Sequence, residues 1–489
     1  MATQQPNILL ITTDQQRFDA SGSAGPSFLR TPHYDGLRHE GIDFRAAYAD
    51  CPICVPARVG IMTGRYVFGH QMPGNGATSG LPAMQRERTL PSLLRALGYQ
   101  TAAIGKMHFT PQRARHGFDE MIIPDDYYRH MQRLGYGNLQ PMHHGLGQNE
   151  LYPTMATVPE ALTLTSWTAE QCLEYIRVRR DPTAPFFLWC SFAKPHPPFD
   201  PPEPYYSMYR HSAIPEPVFG DWSEGEACPP AFARNREKQS FDLAPPEVIR
   251  EARAAYYGTI TQIDYNMGRV FAALQDLGLF NDTLIVYTSD HGEFLGDHHA
   301  GAKSFFHEPS AHVPFVVRLP QCWADRQHGT AVTSPATHAD ILPTLVTAAG
   351  GTPPPDVDGQ DLIALARGQL GEPRRYLEAM AGSMSEPSHL SLTDGRWKYM
   401  YYPEGAVEQL FDLETDPHEL RNLVGDPAYE DKWEELHRTL VQRHEARRSP
   451  FVMAGKLISL PLKHDTTRDR RNTSWPGYHT EMYDVDVRH

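Results

Sequence analysis

Long hydrophobic runs, cysteine and positive charge are all scarce in this chain of 489 residues. No apolar run approaches the ~18 residues of a membrane-spanning helix, so we expect no membrane partner. The six cysteines are too few for a disulfide-built scaffold and fit a reducing compartment. Lys and Arg total 45 against 59 Asp and Glu, a net charge of −14. Nucleic-acid binding needs a basic face, so this balance excludes nucleic acid and disfavours long polyanionic chains as partners.

A secretory leader is also missing from the first residues. No positive segment precedes the first apolar run, Ile8 to Ile11, and that run is too short for a signal peptide. We therefore expect a cytoplasmic protein. The hydrophobic fraction of 40% is typical of a globular chain with a sizeable core.

Four short apolar runs, each followed by polar residues, dominate the pattern of the chain. The runs are continuous rather than alternating, which predicts strands covered on both faces. Helical patterns lie between them, the clearest over 246–277, and this alternation predicts a doubly wound α/β sheet. Ligands bind beyond the carboxyl ends of the strands in such sheets, so the polar residues should gather in one crevice. They are Asp14 and Gln15, Lys106 and His108, Lys194 and His196, and Asp290 and His291.

The last quarter of the chain differs from the rest. Three prolines at 353–355 resemble a linker. Beyond it we predict strands over 389–402 with an Asp-Gly turn, another strand over 410–413 and a helix over 433–447. We expect an α/β catalytic domain over 1–370, a small α+β subdomain over 371–450 and a tail over 451–489. The aromatic residues of the tail could pack on a second copy of the chain, which leaves a homo-oligomer open.

The segment 51–58, with the sequence CPICVPAR, can be interpreted in three ways. Cys51 and Cys54 could form a redox dithiol or half of a zinc site, or they could be ordinary buried thiols. The zinc interpretation requires a second Cys or His pair, and His33 and His70 are too isolated to supply it. The third interpretation takes Cys54 as the start of a Cys-x-Pro-x-Arg motif.

That motif, with Thr-Gly-Arg at 63–65, resembles the signature of the type I sulfatases of the alkaline-phosphatase-like superfamily. In that family a maturation enzyme converts the motif cysteine to formylglycine, an aldehyde. The resemblance implies formylglycine at Cys54, the maturation enzyme as a partner, and a large mixed sheet sandwiched by helices with a small C-terminal α+β subdomain. Pro56 suits a first helical turn, so Cys54 should begin a helix whose free N–H groups favour an anion. Arg58 can then hold the hydrated aldehyde by hydrogen bonds.

Two acid-containing pairs at strand ends suggest a metal site. A lone Asp there is usually a cap or turn residue, but Asp14-Gln15 and Asp290-His291 together supply two carboxylates, an amide oxygen and an imidazole. Similar sulfatases hold a metal at these positions and at the modified cysteine, here Cys54. Many carry Asp-Asp and Asp-Asn and bind calcium, whereas an imidazole shifts the preference toward Mn²⁺, so one divalent cation, Ca²⁺ or Mn²⁺, is expected. Gln15 and His291 replace the second residues of those two pairs, and in this respect the chain resembles the phosphonate monoester hydrolases and choline sulfatases.

Three further elements match the family, although each alone could be a solvated lysine or an ordinary loop histidine. They are Lys106 with His108 in Gly-Lys-x-His, His196 in Pro-His-x-Pro, and Lys303. The resemblance implies that Lys106 and Lys303 neutralise the sulfate oxygens. It also implies that His196, with Lys303, protonates the leaving alcohol, and that His108 deprotonates the second hydroxyl of the hydrated aldehyde.

These features predict a hydrolase of small sulfate monoesters. A phosphonate monoester or phosphodiester hydrolase with the same machinery is the nearest alternative, favoured by the segment 185–209 and disfavoured by the pair Lys106 and His108. A non-catalytic or redox protein that uses the thiols of Cys51 and Cys54 is an alternative of another class. Net charge governs solubility and long-range steering and says little about one pocket. The net charge of −14 therefore does not exclude an anionic substrate, but it favours small sulfate esters over large polyanions.

Overall fold

The computed structural model describes residues 5–76, 84, 88–136, 149, 151–239, 241–323, 328–385 and 387–463. Its strands are β1 (Asn7–Asp14), β2 (Ile42–Phe44), β3 (Gln100–Gly105), β4 (Glu120–Ile122), β5 (Phe186–Pro195), β6 (Thr283–Ser289), β7 (Phe315–Arg318), β8 (Thr330–Val332), β9 (Leu377–Gly382), β10 (Pro387–Thr393), β11 (Trp397–Tyr402), β12 (Val407–Asp412), β13 (Val452–Met453) and β14 (Lys456–Leu457). Its helices are α1 (Pro32–Glu40), α2 (Cys54–Thr63), α3 (Val67–His70), α4 (Leu90–Ala96), α5 (Pro124–Met131), α6 (Leu164–Glu174), α7 (Tyr205–Met208), α8 (Pro230–Gln239), α9 (Pro246–Asp276), α10 (Glu308–Ala311), α11 (Ile341–Ala348), α12 (Leu362–Ala366) and α13 (Glu430–Ala446). Within the described ranges, no helix is both long and apolar enough to cross a bilayer.

An eight-stranded mixed sheet forms the centre of the molecule. Its strand order is β4-β3-β5-β1-β6-β7-β2-β8. Within the described residues, β7 pairs antiparallel with both of its neighbours, and the other pairings in this sheet are parallel. The expected α/β class with a large mixed sheet is therefore confirmed, whereas the apolar patterns alone did not predict the reversed strand.

Both faces of this sheet are covered by helices. Along β1, Ile8 and Leu10 point to one face and pack with residues of α2, α4, α11 and α12. Leu9 and Ile11 point to the opposite face and pack with residues of α1, α6 and α9. All four side chains are at most 1% exposed, because successive residues of a strand alternate between two covered faces. The continuous apolar runs of the sequence have this origin.

A second, smaller sheet follows toward the C-terminus, in the order β12-β11-β10-β9 and antiparallel throughout. The helix α13 packs against it, so the expected small C-terminal subdomain is confirmed. The Met380 N–H of β9 donates to the Asp50 carbonyl at 3.0 Å, which ties this sheet to the segment leading into α2. The boundary expected near residue 370 stays a prediction, and residues 464–489 of the expected tail lie outside the described residues.

The strands that end in polar residues are neighbours in the large sheet. The order β3-β5-β1-β6 places their carboxyl ends side by side, and all four strands run in the same direction. The sheet therefore brings together four polar segments that are far apart in the sequence. This is the edge at which open α/β sheets bind ligands.

Candidate active site

Cys54 begins α2 at this edge, as the position of Pro56 in the first turn predicted. The residue before it, Ile53, is extended, so the chain turns sharply into the helix at Cys54. The Cys54 side chain is 1% exposed and lines a cavity of about 360 Å³. Asn75 lines the same cavity, and its Oδ1 accepts the Val55 N–H at 3.0 Å. The first turn of α2 is thereby held against the cavity.

Cys51 faces a different part of the protein. Its thiol lies 3.6 Å from the Pro73 carbonyl oxygen, and it packs in the core that joins the small sheet to the main domain. Burial raises the pKa of this thiol, which opposes the reactivity that a redox dithiol requires. All six cysteines are free, and Cys51 does not join Cys54 in a disulfide. The geometry therefore does not favour a Cys-x-x-Cys redox or zinc centre.

A cluster of potential metal ligands surrounds Cys54. The ligand atoms of Asp14, Cys54, Asp290 and His291 all lie within 4.8 Å of one another, and all four residues are buried. The Cys54 sulfur is 3.2 Å from Nε2 of His291, and that nitrogen is 3.6 Å from Oδ1 of Asp290. On the other side of the ring, Nδ1 lies 3.0 Å from the Gly292 carbonyl oxygen and donates to it. This tautomer leaves the Nε2 lone pair directed at the cluster, which is how histidine binds a metal ion.

Arg58 lies between the two carboxylates. Its Nη2 is 3.2 Å from Oδ2 of Asp14 and 2.9 Å from Oδ2 of Asp290. Its Nη1 donates to Oγ of Ser191 at 2.9 Å and to the Lys106 carbonyl at 2.5 Å. The guanidinium is therefore engaged by these four groups, and a contact between Arg58 and a hydrated aldehyde at position 54 stays a prediction.

The electrostatics of the cluster fit a divalent cation. Burial and the neighbouring Asp14 carboxylate raise the pKa of Asp290, so the two acids repel each other when both are charged. Burial also opposes charge on the Cys54 thiol, but Lys303, Lys106 and His291 outweigh it and hold the Cys54 pKa well below its usual range. Two carboxylates and an imidazole are a donor set that suits Mn²⁺, and the carboxylate oxygens also suit Ca²⁺.

The expected cationic residues line the cavity around Cys54. Lys106 and Lys303 both lie in its wall, and the Lys106 Nζ is 2.6 Å from Oδ2 of Asp14. The Lys303 Nζ donates to Oε1 of Gln15 at 2.6 Å. Gln15 thus lies at the same edge as the cluster of potential metal ligands, and its amide oxygen accepts a hydrogen bond from Lys303.

The two expected histidines also reach this cavity. His108 is exposed in its wall, and His196 is buried there with Nδ1 3.0 Å from the Pro197 carbonyl oxygen. Burial, then the charges of Lys303 and Lys106, lower the pKa of His196 to about 4. Every site residue named from the sequence therefore lies at this edge, and their individual roles stay predictions.

Several residues of the site were missed in the sequence. Ser191 holds Arg58 from β5, and Glu293 is a fully buried carboxylate that contacts Gln15. Asp125 of α5 forms part of the outer cavity wall. Glu293 could have been found, because it directly follows the Asp-His-Gly of residues 290–292. Asp125 belongs to no motif, and only the folded chain brings it to the cavity.

A buried acid, imidazole and cysteine cluster beyond the parallel strands of a mixed sheet defines an enzyme of the alkaline-phosphatase-like class. The family model described as "Sulfatase" matches residues 6–351, and the model "N-sulphoglucosamine sulphohydrolase, C-terminal" matches residues 296–446. The chain belongs to the sulfatase family and is a sulfuric ester hydrolase.

Known proteins resemble the chain along most of its length. An arylsulfatase of Clostridium perfringens is 32% identical over 480 residues, covering 93% of this chain and 97% of that protein. A choline-sulfatase of Rhizobium meliloti is 31% identical and covers 87% of this chain and 84% of its own. The crystal structure of the phosphonate monoester hydrolase of Agrobacterium radiobacter superposes with a TM-score of 0.75 at 27% identity, covering 90% of this chain and 96% of the other. The similarity therefore extends through both the large and the small sheet.

Proposed function

We propose that the protein hydrolyses small sulfate monoesters with a formylglycine made from Cys54 and one divalent cation, Mn²⁺ or Ca²⁺. One observation carries the proposal. Cys54 begins α2 beside His291 and Asp14, and the same cavity is lined by Lys106 and Lys303. A nucleophile position, a metal-ligand cluster and two cations for an anionic group thus share one cavity of about 360 Å³.

The cation would be held by Asp14, Gln15, Asp290 and His291, together with the modified side chain at position 54. A bound divalent cation lowers the pKa of a hydroxyl group next to it and stabilises negative charge on the reacting group. Formylglycine supplies that hydroxyl through its hydrated aldehyde. Arg58 keeps both carboxylates in place through its contacts with Asp14 and Asp290.

Lys106 and Lys303 would bind the sulfate oxygens and stabilise the charge that develops on them. His196 is placed to deliver a proton to the leaving alcohol. The two lysines help to lower the pKa of His196 to about 4, and the negative charge of a sulfate ester opposes this effect. His108 on the exposed wall would take a proton from the hydroxyl that remains at position 54.

Cys54 is 1% exposed, so a maturation enzyme would have to act before the chain folds. The cavity size supports small sulfate esters as substrates. A cytoplasmic location and a homo-oligomer stay predictions.

The experiment compares an aryl sulfate with an aryl phosphonate monoester that has the same leaving group. The protein is produced in cells that contain the maturation enzyme, and mass spectrometry of the peptide around position 54 measures its modification. We expect an aldehyde at position 54 and a higher kcat/KM for the sulfate. Cys54→Ala should abolish turnover, whereas the matched control Cys51→Ala should retain it, because Cys51 lies outside the cavity.

The second candidate is a phosphonate monoester hydrolase, supported by the structural similarity to the Agrobacterium radiobacter enzyme. A clear preference for the phosphonate in kcat/KM would replace the sulfatase proposal with this candidate. An active protein whose Cys54 is quantitatively a thiol would overturn the formylglycine part of the proposal.

A further inference from the structure

Glu293 is a buried carboxylate that the proposed reaction does not use. Its side chain is completely inaccessible to solvent. In the sequence it follows His291, a member of the metal-ligand cluster, by two positions. Oε1 accepts two backbone N–H groups, from Leu295 at 2.9 Å and from Ala302 at 2.6 Å. These bonds close the loop that leads to Lys303. Oε2 has a different partner, the side-chain amide nitrogen of Gln15.

The Gln15 amide is held from both ends. Its nitrogen donates to Glu293, and its oxygen accepts a hydrogen bond from the Lys303 ammonium at 2.6 Å. Rotating the amide by half a turn would place its NH₂ against an ammonium and its oxygen against a carboxylate. Lys303 can only donate, and both oxygens of Glu293 act as acceptors in this arrangement, so both neighbours require the same orientation. The backbone of Gln15 is also fixed, since its N–H donates to Asp290 and its carbonyl accepts from Tyr256.

We infer that Glu293 is a positioning residue that orients the Gln15 amide, keeping the amide oxygen on the Lys303 side of the site. In the proposed function, on which this inference rests, that same oxygen would be the atom through which Gln15 holds the cation. Glu293 therefore acts on the metal and on Lys303 through Gln15, without touching the substrate.

The hydrogen-bond donors and acceptors around Gln15 predict how the substitution Glu293→Gln changes the orientation of the Gln15 amide. The new carboxamide must still present its oxygen to the N–H groups of Leu295 and Ala302, so its NH₂ faces Gln15. The Gln15 amide must then rotate and turn its NH₂ toward Lys303. Gln15→Glu in the same chain repairs the pattern, because a carboxylate at 15 accepts from both the carboxamide at 293 and Lys303. Gln15→Glu alone places two carboxylates in contact.

The test is a double-mutant cycle of the wild type, Glu293→Gln, Gln15→Glu and the double variant. Three quantities are measured: the free energy of unfolding in urea without metal, the dissociation constant for Mn²⁺, and kcat/KM for an aryl sulfate. We expect Glu293→Gln to weaken Mn²⁺ binding about tenfold, the size of effect known for residues that orient metal ligands. The double variant should bind Mn²⁺ more tightly and unfold at higher urea concentration than either single variant.

Glu378→Gln is the matched control, because it removes a buried carboxylate from an ion pair with Arg447, in the small sheet away from the cavity. It should leave Mn²⁺ binding and kcat/KM unchanged.

A role limited to closing the loop predicts that the double variant resembles Glu293→Gln in all three measurements, and this result would overturn the inference. If the wild type neither binds Mn²⁺ nor hydrolyses the ester, the proposed function fails. Coupling in the unfolding energies would then still support the orienting contact, and its absence would overturn that as well.

Discussion

Arg58 and Asp290 form a buried ion pair in which Nε and Nη2 of the arginine donate to the same carboxylate oxygen, at 3.1 and 2.9 Å. The other oxygen of Asp290 accepts the Gln15 N–H at 3.1 Å and faces Nε2 of His291. Arg58 thus occupies one side of the carboxylate and leaves the other side to the metal-ligand cluster. This arrangement separates the structural use of Asp290 from its proposed use as a ligand.

Arg58→Met should destabilise the protein strongly. It leaves Asp14 and Asp290 buried with one of their compensating cations removed, and such a change typically costs about 3–5 kcal/mol. Urea unfolding without metal measures the loss, and added Mn²⁺ should restore part of it by neutralising the carboxylates. The control Arg438→Met removes an exposed helical ion pair and should cost below about 1 kcal/mol. Equal losses in the two variants would contradict the proposed role of Arg58.

Lys106→Met should reduce kcat/KM for an aryl sulfate by about 10²–10³, the usual effect of removing one group that stabilises transition-state charge. Lys106 lines the cavity beside Cys54, so in the proposed function its charge would act on the sulfate group directly. Lys432→Met is the control, since Lys432 pairs with Glu435 on α13. Steady-state kinetics on both variants checks the prediction, and comparable rates for the two would refute it.

Lys398→Met should weaken the connection between the small sheet and the main domain. Lys398 of β11 is 1% exposed, and its Nζ lies 2.5 Å from Glu308 and 2.8 Å from Glu419. Removing the lysine leaves the buried Glu419 carboxylate close to the partly buried Glu308 carboxylate, which should cost about 3–5 kcal/mol in urea unfolding. Turnover per folded molecule should not change, because none of these residues lines the Cys54 cavity. Loss of turnover at unchanged stability would contradict the prediction that Lys398 affects stability and not catalysis.

Asp264 should make stability depend on pH. Burial raises the pKa of this carboxyl to about 7 from 3.8, although the N–H groups of His33 and Tyr34 donate to it. The folded chain therefore holds a proton that the unfolded chain releases near pH 4. This contribution to stability is fully present below pH 3.8 and is lost as the pH rises through about 7.

Asp264→Asn isolates that contribution, because it carries no titrating proton. The free energy of unfolding of the wild type, minus that of Asp264→Asn, should fall as the pH rises from about 4 to about 8. Urea denaturation at several pH values measures this difference. A difference that stays constant or increases with pH would show that Asp264 is already charged in the folded protein.

The four strands that end in the site could be predicted from their continuous apolar runs, because a strand buried on both faces consists of consecutive apolar residues. The position of Cys54 at a helix start followed from Pro56 in the same way. The strand β7 was not among the four predicted strands, and its reversed direction could not be predicted either, since a short apolar run looks the same in either direction. Strand direction depends on the path of the whole chain.

The site residues that belong to sequence motifs could be identified from the sequence, but the side chains that contact them could not. Arg58 was expected to contact the group at position 54, and the structure directs its nitrogens to two carboxylates and to Ser191. Nothing near Ser191 in the sequence indicates this contact, which depends on the pairing of β1 with β5. Glu293 was overlooked because its position directly after the Asp-His-Gly of residues 290–292 was not used, and its three hydrogen-bond donors are known only from the folded chain.

The placement of β1 between β5 and β6 has a consequence for synthesis on the ribosome. Asn7 pairs with Thr283, so the first strand is made long before one of its two partners exists. At roughly 5–20 residues per second the delay is on the order of tens of seconds. During that time at least one edge of this apolar strand lacks its partner. The same interval is the period in which position 54 would be open to chemical conversion, so slower translation should favour a fully matured product.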